Sequence, residues 1–234
     1  QYTEQNYLRT VAYGETGYTN KNFNTSIQFY NEQDSKNQPL LQDFTDAEKA
    51  ILANSGDDQT LARANTILRS DFRDDLVLYE LTDSLGFDSV LVYSADSTAN
   101  LYQASFTFVG TNQGDYILQQ NNANGRVFRW VPPIGGIPQG NYAPIKQLVA
   151  PTQLQIISVQ TEGTFAKNHK LKLSLATSKN DVNLFSDFDK QDDQGFAGKL
   201  QYGWIKKLKR GKLNTGLYYE FNDDNFTTET GTCP

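Results

Sequence analysis

After Pro151 the chain alternates apolar with polar residues in four successive runs. In the first, Ile157, Val159, Thr161 and Phe165 oppose Ser158, Gln160, Glu162 and Thr164; in the second, Leu171, Leu173 and Leu175 oppose Lys172, Ser174 and Ser178. Phe196, Leu200, Tyr202 and Trp204 then stand against Lys199, Gln201 and Gly203, and Leu213, Leu217, Tyr219 and Phe221 against Asn214, Gly216 and Glu220. Successive side chains of a strand point to opposite faces, so this period dictates strands with one apolar face and is incompatible with a helix, whose faces repeat every three to four residues. The connections differ in length. Lys167-Asn168-His169-Lys170 and Lys209-Arg210-Gly211-Lys212 are tight basic turns, whereas residues 181–195 form a long loop with five aspartates and one lysine.

Long alternating strands, aromatics toward their ends, short turns on one side and a long polar loop on the other match an up-and-down outer-membrane β-barrel or a large antiparallel sheet. Gly163, Ala176, Gly198, Gly203 and Gly216 are expected on the small, polar inner face. Four strands are too few to close a barrel, which takes about eight. The sheet is therefore expected to be incomplete within 151–234.

The first 150 residues read as a separate acidic, β-rich region. Val11 to Gly14 and the alternating stretch Phe23, Thr25, Ile27, Phe29 flank a polar Thr19-Asn20-Lys21-Asn22 turn, as in a hairpin. A helical insertion is predicted near 45–70. Thr45-Asp46-Ala47-Glu48 has capping-box spacing ahead of Ala50 and Ile51, and a second helix is predicted after Asp57 or Asp58, with Leu61, Ala64 and Leu68 on one face. Leu76–Tyr79 and Ser89–Tyr93 read as strands paired across a Gly86 turn.

An internal repeat follows at 104–142. Phe106-Thr107-Phe108-Val109 then Gly114-Asp115-Tyr116 is echoed by Phe128-Arg129-Trp130-Val131 then Gly140-Asn141-Tyr142. Two readings compete for Phe106, Phe108, Tyr116, Phe128, Trp130 and Tyr142. In one they form platforms that bind glycan or protein; in the other they form the sheet core, with at least three of Phe106, Phe108, Phe128 and Trp130 buried.

Several functions are excluded by composition. The 234 residues carry a net charge of −6. Residues 1–150 hold 10 Lys+Arg against 17 Asp+Glu, and residues 151–234 hold 11 against 10. An acidic chain lacks the basic face that nucleic acid requires, and the cluster Lys206, Lys207, Lys209, Arg210 and Lys212 occupies a single turn. No apolar run is long enough for a transmembrane helix, a criterion blind to β-barrels. The chain contains no Met, so a processed or partial chain is expected. Its one Cys, Cys233, rules out an internal disulfide.

The phrases 30–39 (Tyr-Asn-Glu-Gln-Asp-Ser-Lys-Asn-Gln-Pro) and 83–90 (Asp-Ser-Leu-Gly-Phe-Asp-Ser-Val), the paired Gly-Asp-Tyr and Gly-Asn-Tyr turns, and Asn183-Leu184-Phe185-Ser186-Asp187 ahead of a Gly-rich strand carry a resemblance. In these the chain resembles large β-rich outer-membrane and cell-surface proteins of the Bacteroidota type, in sequence style over most of 23–229. The resemblance implies an exported protein at the outer membrane or surface of a gram-negative bacterium, working with other envelope proteins or the remainder of a longer chain. Gly231-Thr232-Cys233-Pro234 departs from the terminal aromatic strand of such barrels.

Little chemistry is legible. His169, the single histidine, lies in a turn without a nearby nucleophile, and no Gly-x-Ser-x-Gly, Walker or Rossmann spacing is present. Asp187, Asp189, Asp192 and Asp193 crowd one loop and suggest calcium, although their order is not that of an EF-hand. Asp57-Asp58 and Asp223-Asp224 diverge as adjacent residues and do not make a glycosidase pair. The expectation is a non-enzymatic structural component of the outer envelope, with membrane contact through 151–229 and no cofactor beyond that calcium. The alternative is a secreted or surface module that binds through its aromatics.

Overall fold

The computed structural model describes residues 8–36, 43–122 and 124–228; Cys233 and the closing Gly231–Pro234 lie outside them. The chain begins with β1 (Arg9–Thr19), β2 (Phe23–Asp34) and helix α1 (Asp46–Asn54). Short strands follow: β3 (Arg63–Asn65), β4 (Leu68–Ser70), β5 (Tyr79–Ser84), β6 (Phe87–Tyr93), β7 (Leu101–Gln103) and β8 (Thr107–Phe108). Then come β9 (Tyr116–Asn122), β10 (Gly125–Trp130), β11 (Tyr142–Ala143) and β12 (Ile145–Gln147). The chain ends its described part with the long strands β13 (Gln153–Ala166), β14 (His169–Asp181), β15 (Gln194–Leu208) and β16 (Gly211–Asn222). The fold is mostly antiparallel β with one short α-helix, as the alternation predicts.

Two compact units divide these elements, one formed by the chain up to Gln59 together with Val149 onward, the other by Thr60–Leu148. The sequence division at 150 grouped the first hairpin with the acidic region, and the structure corrects it. β2 pairs with β13 over eleven residues, from Gln33 opposite Gln153 to Phe23 opposite Gly163. The first unit is therefore a six-stranded sheet in the order β1-β2-β13-β14-β15-β16, every neighbour antiparallel. It does not close into a barrel: β1 and β16 are its two edges.

The tight turns fall where they are predicted. Ala166 faces His169 across Lys167-Asn168, with Asn168 at φ +73, and Leu208 faces Gly211 across Lys209-Arg210. The register places Ile27, Val159, Leu175 and Phe221 in one cross-strand row, Thr161, Leu173, Leu200 and Tyr219 in the next, and Leu171, Tyr202 and Leu217 in a third. Leu171, Leu173, Leu175, Leu200, Tyr202, Trp204, Leu217, Tyr219 and Phe221, predicted to lie on the apolar side of their strands, share one face. The opposite face carries the row Ser26, Gln160, Ser174, Lys199 and Glu220, and beside it Glu162 and Lys172, with ammonium–carboxylate pairs at 3.8 Å for Lys172–Glu162 and Lys199–Glu220.

Gly163 and Gly198 are not on the polar face, as the sequence reading has them; they stand opposite Leu171 and Leu175 on the apolar one. Their place is steric. A Cβ at Gly198 would collide with the Phe221 ring, and one at Gly163 with the Phe23 ring, so each glycine lets an aromatic lie across the backbone.

In the second unit the predicted second helix is absent: Gln59–Leu61 is a single 3₁₀ turn and the next residues form β3 and β4. The buried positions are Ala62 and Ala64, two apart, while Leu61 and Leu68 are exposed. Burial thus follows the strand period. Asn65 adds a local alternative to the helix, its side-chain oxygen accepting the Ile67 N–H at 2.8 Å. The predicted hairpin around Gly86 is present as β5–β6, but its first strand starts at Tyr79, and Leu85 (φ +52) and Gly86 (φ +84) both take left-handed conformations in the two-residue turn.

The repeat folds as a swapped pair in a sheet of order β10-β9-β11-β8. Phe108 of the first copy pairs with Tyr142 of the second, and Trp130 of the second with Tyr116 of the first. The Val109 N–H donates to Asn141 O at 2.9 Å, and its counterpart, the Val131 N–H, to Asp115 O at 2.8 Å. Gly114 and Gly140 bridge each other at the centre. A Cβ on Gly114 would occupy the backbone of Tyr142, and one on Gly140 the backbone of Tyr116. Gly114→Ala or Gly140→Ala is therefore expected to cost about 2–3 kcal/mol. Gly203→Ala, which meets nothing within 4 Å, should stay within about 0.5 kcal/mol of wild type; urea unfolding midpoints of the three variants check both values.

Candidate functional site

The aromatic residues of the repeat pack on one another. Tyr79, Leu91, Tyr116 and Phe128 are buried, and Phe106, Trp130 and Tyr142 pack against them half-buried. The Phe106 ring stacks on Phe128 at 4.4 Å between centroids, Phe128 meets Tyr142 at 4.9 Å, and Tyr142 meets Phe108 at 5.6 Å. Of the four residues expected to be mostly buried, only Phe128 is fully so, and Phe108 is 58% exposed. Phe108 lies outermost because β8, a two-residue strand, is the edge of its sheet.

Two buried hydroxyls tie this cluster to the backbone. Tyr79 Oη accepts the Phe128 N–H at 3.0 Å, and Tyr116 Oη accepts the Leu91 N–H at 3.0 Å. Burial pushes both phenols above the ordinary tyrosine range. Of the six residues singled out for binding, five lie in or against this cluster, and Trp130 also packs on Phe87 at 5.4 Å.

A different kind of site lies in the first unit, where the end of α1 meets the 181–195 loop. α1 starts at the predicted capping box, with Thr45 Oγ1 accepting the Glu48 N–H at 3.2 Å and Glu48 Oε2 accepting the Thr45 N–H at 2.8 Å. It ends at Ser55, and Gly56 turns the chain at φ +58, which presents Asp57. Asn183, 2% exposed, holds this end: its amide donates to Leu52 O at 2.8 Å and Gly56 O at 2.6 Å. The loop's other end is held by the Asn180 N–H, which donates to Asp193 O at 2.8 Å.

Among its described residues the unit buries three aspartates, and two of them have partners. Asp34 accepts Arg9 Nε at 2.7 Å and the Thr152 N–H at 3.1 Å. Asp181 accepts Lys190 Nζ at 2.7 Å and the Asn183 N–H at 3.1 Å. Asp193, 2% exposed, has neither: both its carboxylate oxygens are buried without a hydrogen-bond partner, as is Oδ1 of Asp57. Carboxylate oxygens of Asp57, Asp192 and Asp193 lie within 4.8 Å of one another. Burial, then the Asp181 carboxylate, pushes the Asp193 carboxyl above the usual carboxylate range; burial, then Asp192, does the same to Asp57.

Of the four loop aspartates expected to gather, the structure brings together Asp192 and Asp193. Asp187 and Asp189 are exposed, and Asp189 turns at φ +63 beside Gly56. Asp57 takes a place in the group that local spacing does not announce, since its neighbours there lie more than a hundred residues away. The set is all oxygen, suited to a hard cation and without a nucleophile. His169 belongs elsewhere: its Nδ1 is 2.7 Å from Tyr202 Oη and its ring stacks on Trp204 at 5.8 Å. No family model, curated protein or solved structure matches the chain.

The phenols yield a measurable consequence. Tyr79→Phe leaves the buried Phe128 N–H without its acceptor and is expected to cost about 1–3 kcal/mol. Because the folded phenol pKa is raised, the stabilisation linked to it is complete below the unfolded value of about 10 and is lost as pH rises through the higher folded value. Urea unfolding at pH 8 and pH 11 should show that loss in wild type and a smaller one in the Tyr79→Phe, Tyr116→Phe double variant.

Proposed function

We propose that the chain is a non-enzymatic β-structural component of an outer-envelope assembly, in which its six-stranded sheet is one sector of a larger membrane β-structure with the apolar face toward lipid. The observation that carries this reading is that the face is uncovered: Ile27 is 45% exposed, Ile157 46%, Leu175 45% and Leu217 58%. These belong to one continuous surface, since their cross-strand rows are contiguous. A surface of this kind on a water-facing protein is an association or membrane site.

The dimensions and borders of the face favour lipid. On β15 the apolar positions run from Phe196 to Trp204, about 27 Å along a strand, which at the roughly 40° tilt of outer-membrane strands covers about 20 Å of their roughly 25 Å apolar band. At one end Phe165, His169, Tyr202 and Trp204 form a ring cluster, with Phe165 and Tyr202 stacked at 6.2 Å, and Lys206 Nζ lies 5.8 Å over the Trp204 ring. At the other end the row is Asn31, Gln155 and Lys179. Aromatics followed by cations are what a membrane–water boundary selects. β1 and β16 end the strand order among the described residues, and neighbouring strands of the assembly would add along them. Among the described residues no helix is long and apolar enough to cross a membrane, a criterion that does not bear on strands.

Flotation with phosphatidylethanolamine–phosphatidylglycerol liposomes tests the reading. Wild type should require detergent for solubility and float with the vesicles. Leu173→Asp, on the apolar face, should lose flotation at least tenfold, and Ser174→Asp, on the polar face, should keep it. A detergent-free monomer that stays with the aqueous fraction overturns the proposal, and a soluble oligomer with Leu173 protected replaces lipid by a second sheet.

A further inference from the structure

We propose that Asp57, Asp192 and Asp193 bind one calcium ion, which fastens the 181–195 loop to the turn after α1. Two independent observations meet here. Three carboxylates converge from sequence-distant segments, their oxygens within 4.8 Å of one another. Ligand oxygens on one calcium, each about 2.3–2.6 Å from the ion, can lie at most about 4.6–5.2 Å apart. Separately, Asp193 is only 2% exposed, both oxygens of its carboxylate are buried, and neither finds a donor.

A buried carboxylate without a partner is costly unless a proton or a cation neutralises it. The other two buried aspartates of the unit show how the fold treats such groups, Asp34 with Arg9 and Asp181 with Lys190. The loop's lone lysine is thereby committed, its Nζ at 2.7 Å from Asp181 Oδ1 and 3.1 Å from Asn183 O. Lys190 and Lys179 act on Asp193 through space, but neither donates a hydrogen bond to its carboxylate, and Asp57, with one buried oxygen lacking a partner, and the exposed Asp192 face the same point.

The donor chemistry selects the ion. Oxygen ligands without imidazole or thiolate suit a hard cation. Three carboxylates on irregular backbone, with carbonyls and water to complete the shell, suit calcium's variable coordination better than magnesium's strict octahedron. The inference is independent of the membrane reading, because it concerns a loop and not the apolar face.

Calorimetric titration and thermal unfolding of the full chain, first stripped with EDTA, decide it. Calcium chloride is expected to bind at one ion per chain. At roughly a hundredfold above its dissociation constant it should raise the melting temperature by about 5–10 °C, with magnesium chloride giving a much smaller shift. D193N and D57N should each lose the calcium heat and the shift, while D187N keeps both. D193N is also expected to melt above wild type in EDTA, so that loss of binding is read on a folded protein. Calcium that leaves wild type unmoved overturns the proposal and assigns a proton to Asp193; equal responses to magnesium overturn the choice of ion, and an unaltered calcium response in D193N overturns the choice of residues.

Discussion

The larger unit depends on one piece of backbone pairing, the ladder between β2 and β13. Its register puts Ile27 beside Val159 and Phe29 beside Ile157, so that the hairpin and the C-terminal meander present one apolar face. A slip of one residue would exchange that set for Gln28, Ser158 and their neighbours. The ladder is pinned where the chain leaves the sheet and where it returns. The buried Asp34 carboxylate accepts both the N–H and the hydroxyl of Thr152 at 3.1 Å, and its own N–H donates to Thr152 O at 2.9 Å. With Arg9 on the same carboxylate, three strands are fixed in register at a single point.

The alternation after Pro151 made the strands, their turns and the sharing of a face legible, because period two has one structural meaning when it persists this long. The membership of β1 and β2 was not legible: an antiparallel partner is chosen by edge geometry and register across more than a hundred residues, which leaves no local mark. The stretch after Asp57 misled for a related reason. Leu61, Ala64 and Leu68 have helical spacing, yet Ala62 and Ala64 are the residues that bury. Small apolar side chains carry too little signal to show which period governs. Gly163 and Gly198 were assigned by size to the polar face, whereas neighbouring rings fill the space above them.

The candidate sites divide in the same way. The repeat was legible as a repeat, and its aromatics as aromatics, but their role follows from the exchange of partners between the two copies. Each copy's tyrosine pairs with the other copy's aromatic strand, so a motif that reads as two platforms folds as one core. In the acidic loop, composition pointed to the segment and to two of the three aspartates that converge. The third, Asp57, is delivered by a helix end and a left-handed glycine, and the reason the group matters, an orphaned buried carboxylate, is a property of burial that spacing does not encode.

The smaller unit interrupts the sheet between β2 and β13, and the way its own ends meet has a consequence for the order in which the molecule is built. The Leu148 N–H donates to Ala62 O at 2.8 Å, and β3 pairs with β12 from Arg63 opposite Gln147. Once this unit has folded, the chain entering it and the chain leaving it are side by side. The loop that must close to bring Asp34 to Thr152, 118 residues apart in sequence, then shrinks to the segments flanking that clamp. Closure entropy grows only with the logarithm of loop length, so the saving is about 1 kcal/mol, but it acts on the slowest kind of event in a β-protein, a non-local strand pairing. The first hairpin leaves the ribosome long before its partner strand exists, and the interrupting unit, folding in the interval, carries the two ends toward each other.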